Sequence, residues 1–170
     1  MCSSDLDWRY LFKGGDAVDI QLGAAPKPGP LEAGDVRIVI APGAAPGSVT
    51  VMGMWGKAPA AFTAEPQLYK SPVRTVSFEH VSLLHSARVH VEKTATAYTV
   101  QAAIPWQELG LTAPAAGVTR RGDIGVLRSD AGGQRTVLRR FLFNQHTSVT
   151  MDAPTEAEIE PPYWGTFQFK

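Results

Sequence analysis

The sequence predicts an all-β fold, an antiparallel β-sandwich with one short helical turn. Three observations lead there. Stretches in which apolar and polar residues alternate recur at short spacing, as half-buried strands require. Sixteen glycines and thirteen prolines among 170 residues supply many turns and interrupt long helices. Helix start and stop signals combine at Pro105-Trp106-Gln107-Glu108-Leu109-Gly110, with proline at the first helical position and glycine just past the end.

The elements follow in order. Asp16 to Leu22 sets Val18, Ile20 and Leu22 against Ala17, Asp19 and Gln21, a strand with one buried face. Pro26 to Gly34 is a loop. Val36 to Ile40 and Ser48 to Trp55 are strands joined by the Pro/Gly-rich turn from Pro42 to Gly47, and so read as a hairpin. Residues 56–72 are mixed, and Pro59, Pro66 and Pro72 exclude a long helix. Val73 to Val81 and Ala87 to Glu92 are extended. Tyr98 to Ile104 is a strand with Tyr98, Val100, Ala102 and Ile104 toward the core, and it leads into the helical turn. Residues 112–121 form a loop. From Gly122, two strands flank an Asp130-Ala131-Gly132-Gly133 turn, with Val137, Arg139, Phe141 and Phe143 on one face of the second. An acidic loop holding Asp152, Glu156, Glu158 and Glu160 precedes a last aromatic strand, Tyr163 to Phe169.

Composition narrows the function. Hydrophobic residues at 44% and charged residues at 19% are globular values, and the length suits one domain with a core. Lysine plus arginine and aspartate plus glutamate number sixteen each, with no basic run, which argues against a nucleic-acid surface. No apolar run approaches the roughly 18 residues of a membrane span. Met1-Cys2-Ser3-Ser4-Asp5-Leu6 reads as a translated sequencing adapter, so the domain is taken as 7–170. Without Cys2 there is no cysteine for a disulfide scaffold or a thiolate zinc site. Phosphate-binding, dinucleotide and nucleophile-elbow motifs are lacking, and nothing marks an enzyme.

Three segments carry a resemblance. Gly15-Asp16-Ala17-Val18-Asp19-Ile20-Gln21-Leu22 comes first, then Tyr98 to Gly110 with its Ile104-Pro105-Trp106 core. The third runs through Gly125-Val126-Leu127, Phe143-Asn144, Asp152-Ala153-Pro154-Thr155-Glu156-Ala157 and Pro162-Tyr163-Trp164-Gly165. In this order they resemble family 9 carbohydrate-binding modules and their relatives, over about residues 14–169. Gln101 stands where the family usually has a glutamate, and the strands that normally precede the first segment are expected to be missing. The resemblance implies a jelly-roll or immunoglobulin-like sandwich and a non-catalytic, secreted or surface-exposed bacterial module. Such a module is covalently attached to a glycoside-active protein and holds it near polysaccharide or oligosaccharide.

It also implies a site. Sugars stack on aromatic faces while carboxylates, guanidinium groups and amides reach the hydroxyls. Asp19 and Arg37 match the family's sugar contacts, with Phe12 or Trp55 as platform and Asn144 and Trp164 as further candidates. The alternative for Asp19 and Arg37 is a cross-strand pair that holds the sheet. Trp106 reads as structural, packing the helical turn onto the sheet. Asp152 and Glu156 could offer oxygens to a structural Ca²⁺, against the alternative of a solvated acidic loop partly paired with Arg139 or Arg140. No other cofactor is required. Haem held between Met52 or Met54 and a histidine, as in distant DOMON relatives, is a remote option. The competing function is a structural or protein-interaction module that has lost its sugar site.

Overall fold

The structure, a computed structural model, describes residues 7–170 apart from 27–28, 44, 46, 95–96, 134 and 147–151. The segment read as an adapter, 1–6, lies outside the described residues. In chain order the strands are β1 (Ala17–Leu22), β2 (Val36–Pro42), β3 (Val49–Trp55), β4 (Gln67–Lys70), β5 (Thr75–Phe78) and β6 (His80–Leu83). They continue with β7 (Arg88–Lys93), β8 (Tyr98–Ala103), β9 (Thr119–Ser129), β10 (Thr136–Phe141) and β11 (Gly165–Gln168). All their pairings are antiparallel, and the fold is the all-β sandwich class that the alternation predicts.

Seven strands make the main sheet, in the order β10-β9-β1-β2-β3-β6, with β11 beside β9. The β2–β3 hairpin closes as expected, Val36 opposite Trp55 and Pro42 opposite Val49. The Gly-rich turn after Ser129 closes the β9–β10 hairpin through the Asp130 N–H to the Arg135 carbonyl and the Gly133 N–H to the Asp130 carbonyl. The long β9 pairs with β10 along Gly125–Ser129 and with β11 along Thr119–Gly122.

Both faces of this sheet are covered, which alternation in β1 alone did not suggest. One face carries Ala17, Val39, Ala41, Met52, Met54 and Leu127. Over it lie the segment from Trp8 to Phe12, the β4–β5 hairpin, and the stretch from α1 (Ala153–Ala157) to Trp164. The other face carries Leu22, Val36, Ile38, Ile40, Val51 and Trp55, against the two-stranded ribbon β7–β8 and the 3-10 turn Trp106–Leu109. Asp19, expected on the outer side of β1, is fully buried, whereas Val18 and Ile20 are only half-buried. The second layer over Asp19 is complete; the one over Val18 is not.

Other expectations are refined. The Val73–Val81 run splits into β5 and β6, which belong to different sheets, and Glu79 at the break donates its N–H to the Trp55 carbonyl. The mixed stretch 56–72 holds β4. The Trp106–Leu109 turn forms where proline and glycine place it, and Gly110 ends it at φ +68°, a left-handed angle that suits glycine. Helix also occurs beyond that turn, as α1 and as 3-10 turns at Trp8–Tyr10 and Pro161–Tyr163.

Candidate functional site

Asp19 on β1 and Arg37 on β2 sit one register step apart on one face of the main sheet, since Asp19 pairs with Val39 and Gln21 with Arg37. Their side chains are both fully buried. The Arg37 Nε donates to the Asp19 carboxylate at 3.0 and 3.1 Å, and Nη2 donates to Oδ2 at 2.5 Å. Nη1 donates to the Glu156 backbone carbonyl at 2.5 Å. The Phe12 ring lies 5.2 Å from the guanidinium and packs edge-on against Tyr69, also at 5.2 Å. The fork geometry of arginine against carboxylate is therefore satisfied entirely within the protein.

Further charges gather there. Lys13 Nζ bonds the buried Glu156 carboxylate at 2.8 Å. Arg139 on β10 is buried on the same side, and its Nε and Nη1 find no hydrogen-bond partner among the described residues; nor does the Glu156 Oε2. Burial, reinforced by the Arg37 cation, pulls Arg139 down to about 10. The cluster is a charged core beneath α1, in which Asp19, Arg37, Phe12 and Glu156 are all at zero exposure.

The sugar platform on Phe12 or Trp55 is thus corrected, because both rings are fully buried. Trp55 lies on the opposite face of the sheet, donates its Nε1–H to the Leu109 carbonyl at 3.2 Å and packs against Phe62 and His80. Gly53 leaves the space its ring occupies, since a Cβ there would stand 2.4 Å from it. Trp106 packs edge-on against Phe169, as its structural reading expects. The structure brings together Asp19, Arg37 and Phe12 and sets Trp55 apart from them.

Asn144 and Trp164 stand at one end of the sheet. The buried Asp123 accepts the N–H groups of Phe143 and Asn144 at 3.0 and 2.8 Å and so fixes the exit of β10. Asn144 Nδ2 donates to Glu160 at 2.9 Å. Trp164 is buried, donating to Gln21 Oε1 at 2.8 Å with the Arg121 guanidinium over its ring. Beside it, Tyr163, which is not among the site candidates drawn from the sequence, is 43% exposed, with the His146 ring 4.6 Å from its own. Pro161 and Pro162 explain the exchange of roles. They start a 3-10 turn, whose three residues per turn point neighbouring side chains in different directions, tyrosine outward and tryptophan inward.

The acidic loop has other duties. Asp152 caps α1, accepting from the Thr155 N–H at 3.2 Å and its hydroxyl at 2.5 Å, and the hydroxyl is the main reason its carboxyl lies below the usual aspartate range. Glu158 pairs with Arg74 at 2.8 Å. Of the two residues named for Ca²⁺, Asp152 serves as the helix cap and Glu156 bonds Lys13, and among the described residues no three His, Cys, Asp or Glu side chains gather in a metal-binding group. Met52 and Met54 are buried on the Asp19 face, and His80 packs on Trp55 across the sheet from them. No family model, curated protein or solved structure matches this chain.

Proposed function

We propose that this chain is a non-catalytic β-sandwich module that works by interaction with another macromolecule rather than by holding a sugar around Asp19 and Arg37. One observation carries the reading. The groups that the resemblance offers to a glycan, Asp19, Arg37 and Phe12, satisfy one another in the interior at zero exposure. The resemblance to carbohydrate-binding modules supports a role as an accessory unit of a larger exported protein, with the fold kept and that site turned to structure.

A second reading keeps sugar binding but moves it. Exposed Tyr163 and Phe143, with the His146 ring against Tyr163, offer aromatic surface beside the polar Asn144–Glu160 pair. Titration of the full chain against a panel of soluble oligosaccharides separates the two. The interaction reading expects no saturable binding below about millimolar Kd. Saturable binding that Tyr163→Ala abolishes, with circular dichroism unchanged, would replace it by the second reading.

A further inference from the structure

The two ribbons that flank the main sheet are held in different ways. β4–β5 buries Tyr69 and Phe78 completely. It is also tied down by bonds, the Tyr69 hydroxyl donating to the Arg9 carbonyl and Arg74 pairing with Glu158, each at 2.8 Å. In β7–β8 none of the described side chains is buried, although Val89, Val91 and Val100 turn an apolar face toward the sheet. Among the described residues no hydrogen bond joins β7 or β8 to another element. A two-stranded ribbon is marginal by itself, so this layer depends on how it is rooted.

The root is firm. The Leu84 N–H donates to the Val51 carbonyl at 2.9 Å, and the Ser86 N–H donates to the Glu108 carboxylate at 3.0 and 3.2 Å. On the other leg, Pro105 opens the turn whose Leu109 is buried and whose Trp106 packs on Phe169. The far end has no such ties, and beneath it lies an apolar trough of two adjoining hollows. The smaller, about 640 Å³, has Val91, Tyr98 and Val100 of the ribbon on one side and Val18, Ile40 and Val49 of the main sheet on the other. The larger, about 1040 Å³, continues past β8 over Ile124 and Val126, which are 41% and 44% exposed. Asp16, just before β1, and Tyr98, at the start of β8, line both hollows.

We propose that β7–β8 is a hinged flap, fixed at Ser86 and Pro105, whose far end swings down onto Val18, Ile40 and Val49 and closes the smaller hollow. The driving force is the removal of two facing apolar walls from water. The hinge is the pair of short legs that leave the bonded root, since the strands themselves are stiffened by their own ladder. Tyr98 supplies a latch. Burial and then the Asp16 carboxylate hold its phenol above the usual range, so it keeps its proton and, once lowered, donates it in a hydrogen bond to Asp16. Ile124 and Val126 lie past β8, outside the sweep of the flap, and stay exposed in both positions. The β4–β5 ribbon, sealed by Tyr69 and Phe78, has no such freedom. Closure is a property of this chain alone, so it stands or falls separately from the interaction reading above.

The test measures distances across the sandwich by electron spin resonance in the full chain. Cys2→Ser removes the one native thiol, and nitroxides are placed on pairs of introduced cysteines at exposed positions. Ser77→Cys on β5, on the far side of the main sheet, is the fixed reference. Paired with Thr99→Cys near the free end of the ribbon, it should give two distances. The second should be shorter by about 3 Å or more, the thickness of one expelled water layer at about 30 Å³ per molecule. Paired with Arg88→Cys at the root, it should give one. Val100→Ser, which makes the inner face polar, and Tyr98→Phe, which removes the latch, should each reduce the share of the shorter distance at least twofold with unchanged circular dichroism. The proposal is overturned by a single distance for the Thr99 pair, or by a second one that is longer, which would mean that the ribbon detaches. A shorter component in the Arg88 pair as well would overturn it too, because the whole layer would then move without a hinge. So would a shorter component that neither Val100→Ser nor Tyr98→Phe reduces.

Discussion

Ile38 and Ile124 stand in the same cross-strand row of the main sheet, separated only by Ile20. Ile38 is 3% exposed and Ile124 is 41% exposed. Their strands have the same pleat and their side chains point to the same side, so nothing in the local pattern distinguishes them. The difference lies in the second layer, where Leu109 and the β7–β8 ribbon cover Ile38 and stop short of Ile124. The opposite face shows the complementary lesson. There the cover of Phe12, Tyr69, Phe78, Ala157 and Ile159 is continuous enough to seal an ion pair completely.

The contrast can be broken most forcefully at the sealed face. Asp19→Ala leaves Arg37 buried without its carboxylate, and Arg37→Ala leaves Asp19 likewise, so each should cost about 3–5 kcal/mol in urea unfolding. Asp19→Leu combined with Arg37→Met should recover much of that loss, since it removes both charges together. A single variant with near wild-type stability would show that the pair is open to water. A strand buried on one face alone would let Asp19→Ala spare the fold, and the burial of Asp19 reverses that outcome.

The half-covered face predicts a graded outcome. Ile38→Ala should cost about 2–5 kcal/mol, as a large-to-small change in a packed core does. Ile124→Ala, in the same row, should cost less than about 1 kcal/mol, within the range of exposed sites. Equal losses in denaturant melts would mean that the trough is closed in solution.

The smallest effect is expected at the margin of the sealed face. Asp152→Ala removes the α1 cap and should lower the melting temperature less than either core change, while Asp152→Asn should keep most of the cap. Because the folded carboxyl lies below its ordinary range, the cap contributes above that range and is lost as pH falls through the lower folded value, below about pH 4. A wild-type melt with no greater acid sensitivity than Asp152→Ala in that window would refute the assignment.

Strand periodicity made β1, β2, β3, β8 and the β9–β10 hairpin legible in the sequence, because each alternates over at least five residues. The helical turn was legible through Pro105 and Gly110. The cap of α1 carried a signal too, an aspartate two residues before a proline, but the acidic run obscured it. Three things were not legible. The depth of Asp19 depends on residues far along the chain, at 69 and 156, as well as on the nearby Phe12. The pairing of Arg37 with Asp19 could be proposed from the pattern, but whether it faced water could not. The outward turn of Tyr163 instead of Trp164 is set by the 3-10 geometry after two prolines, which alternation does not describe.

One arrangement of strands bears on how the chain is made. β1 lies between β2, about 20 residues ahead, and β9, whose Leu127 sits opposite Ala17 about 110 positions later. At about 5–20 residues per second on the ribosome, β1 waits roughly 5–20 s for that second neighbour. During this interval Val18 and Ile20 lack β9 beside them, and for most of it the ribbon above as well, since β7 and β8 are made shortly before β9. Such distant pairing slows folding once the chain is released. The β2–β3 hairpin, closed over a short turn, can form at once and hold β1 on one side, so nascent-chain stability should rise abruptly only when β9 has emerged.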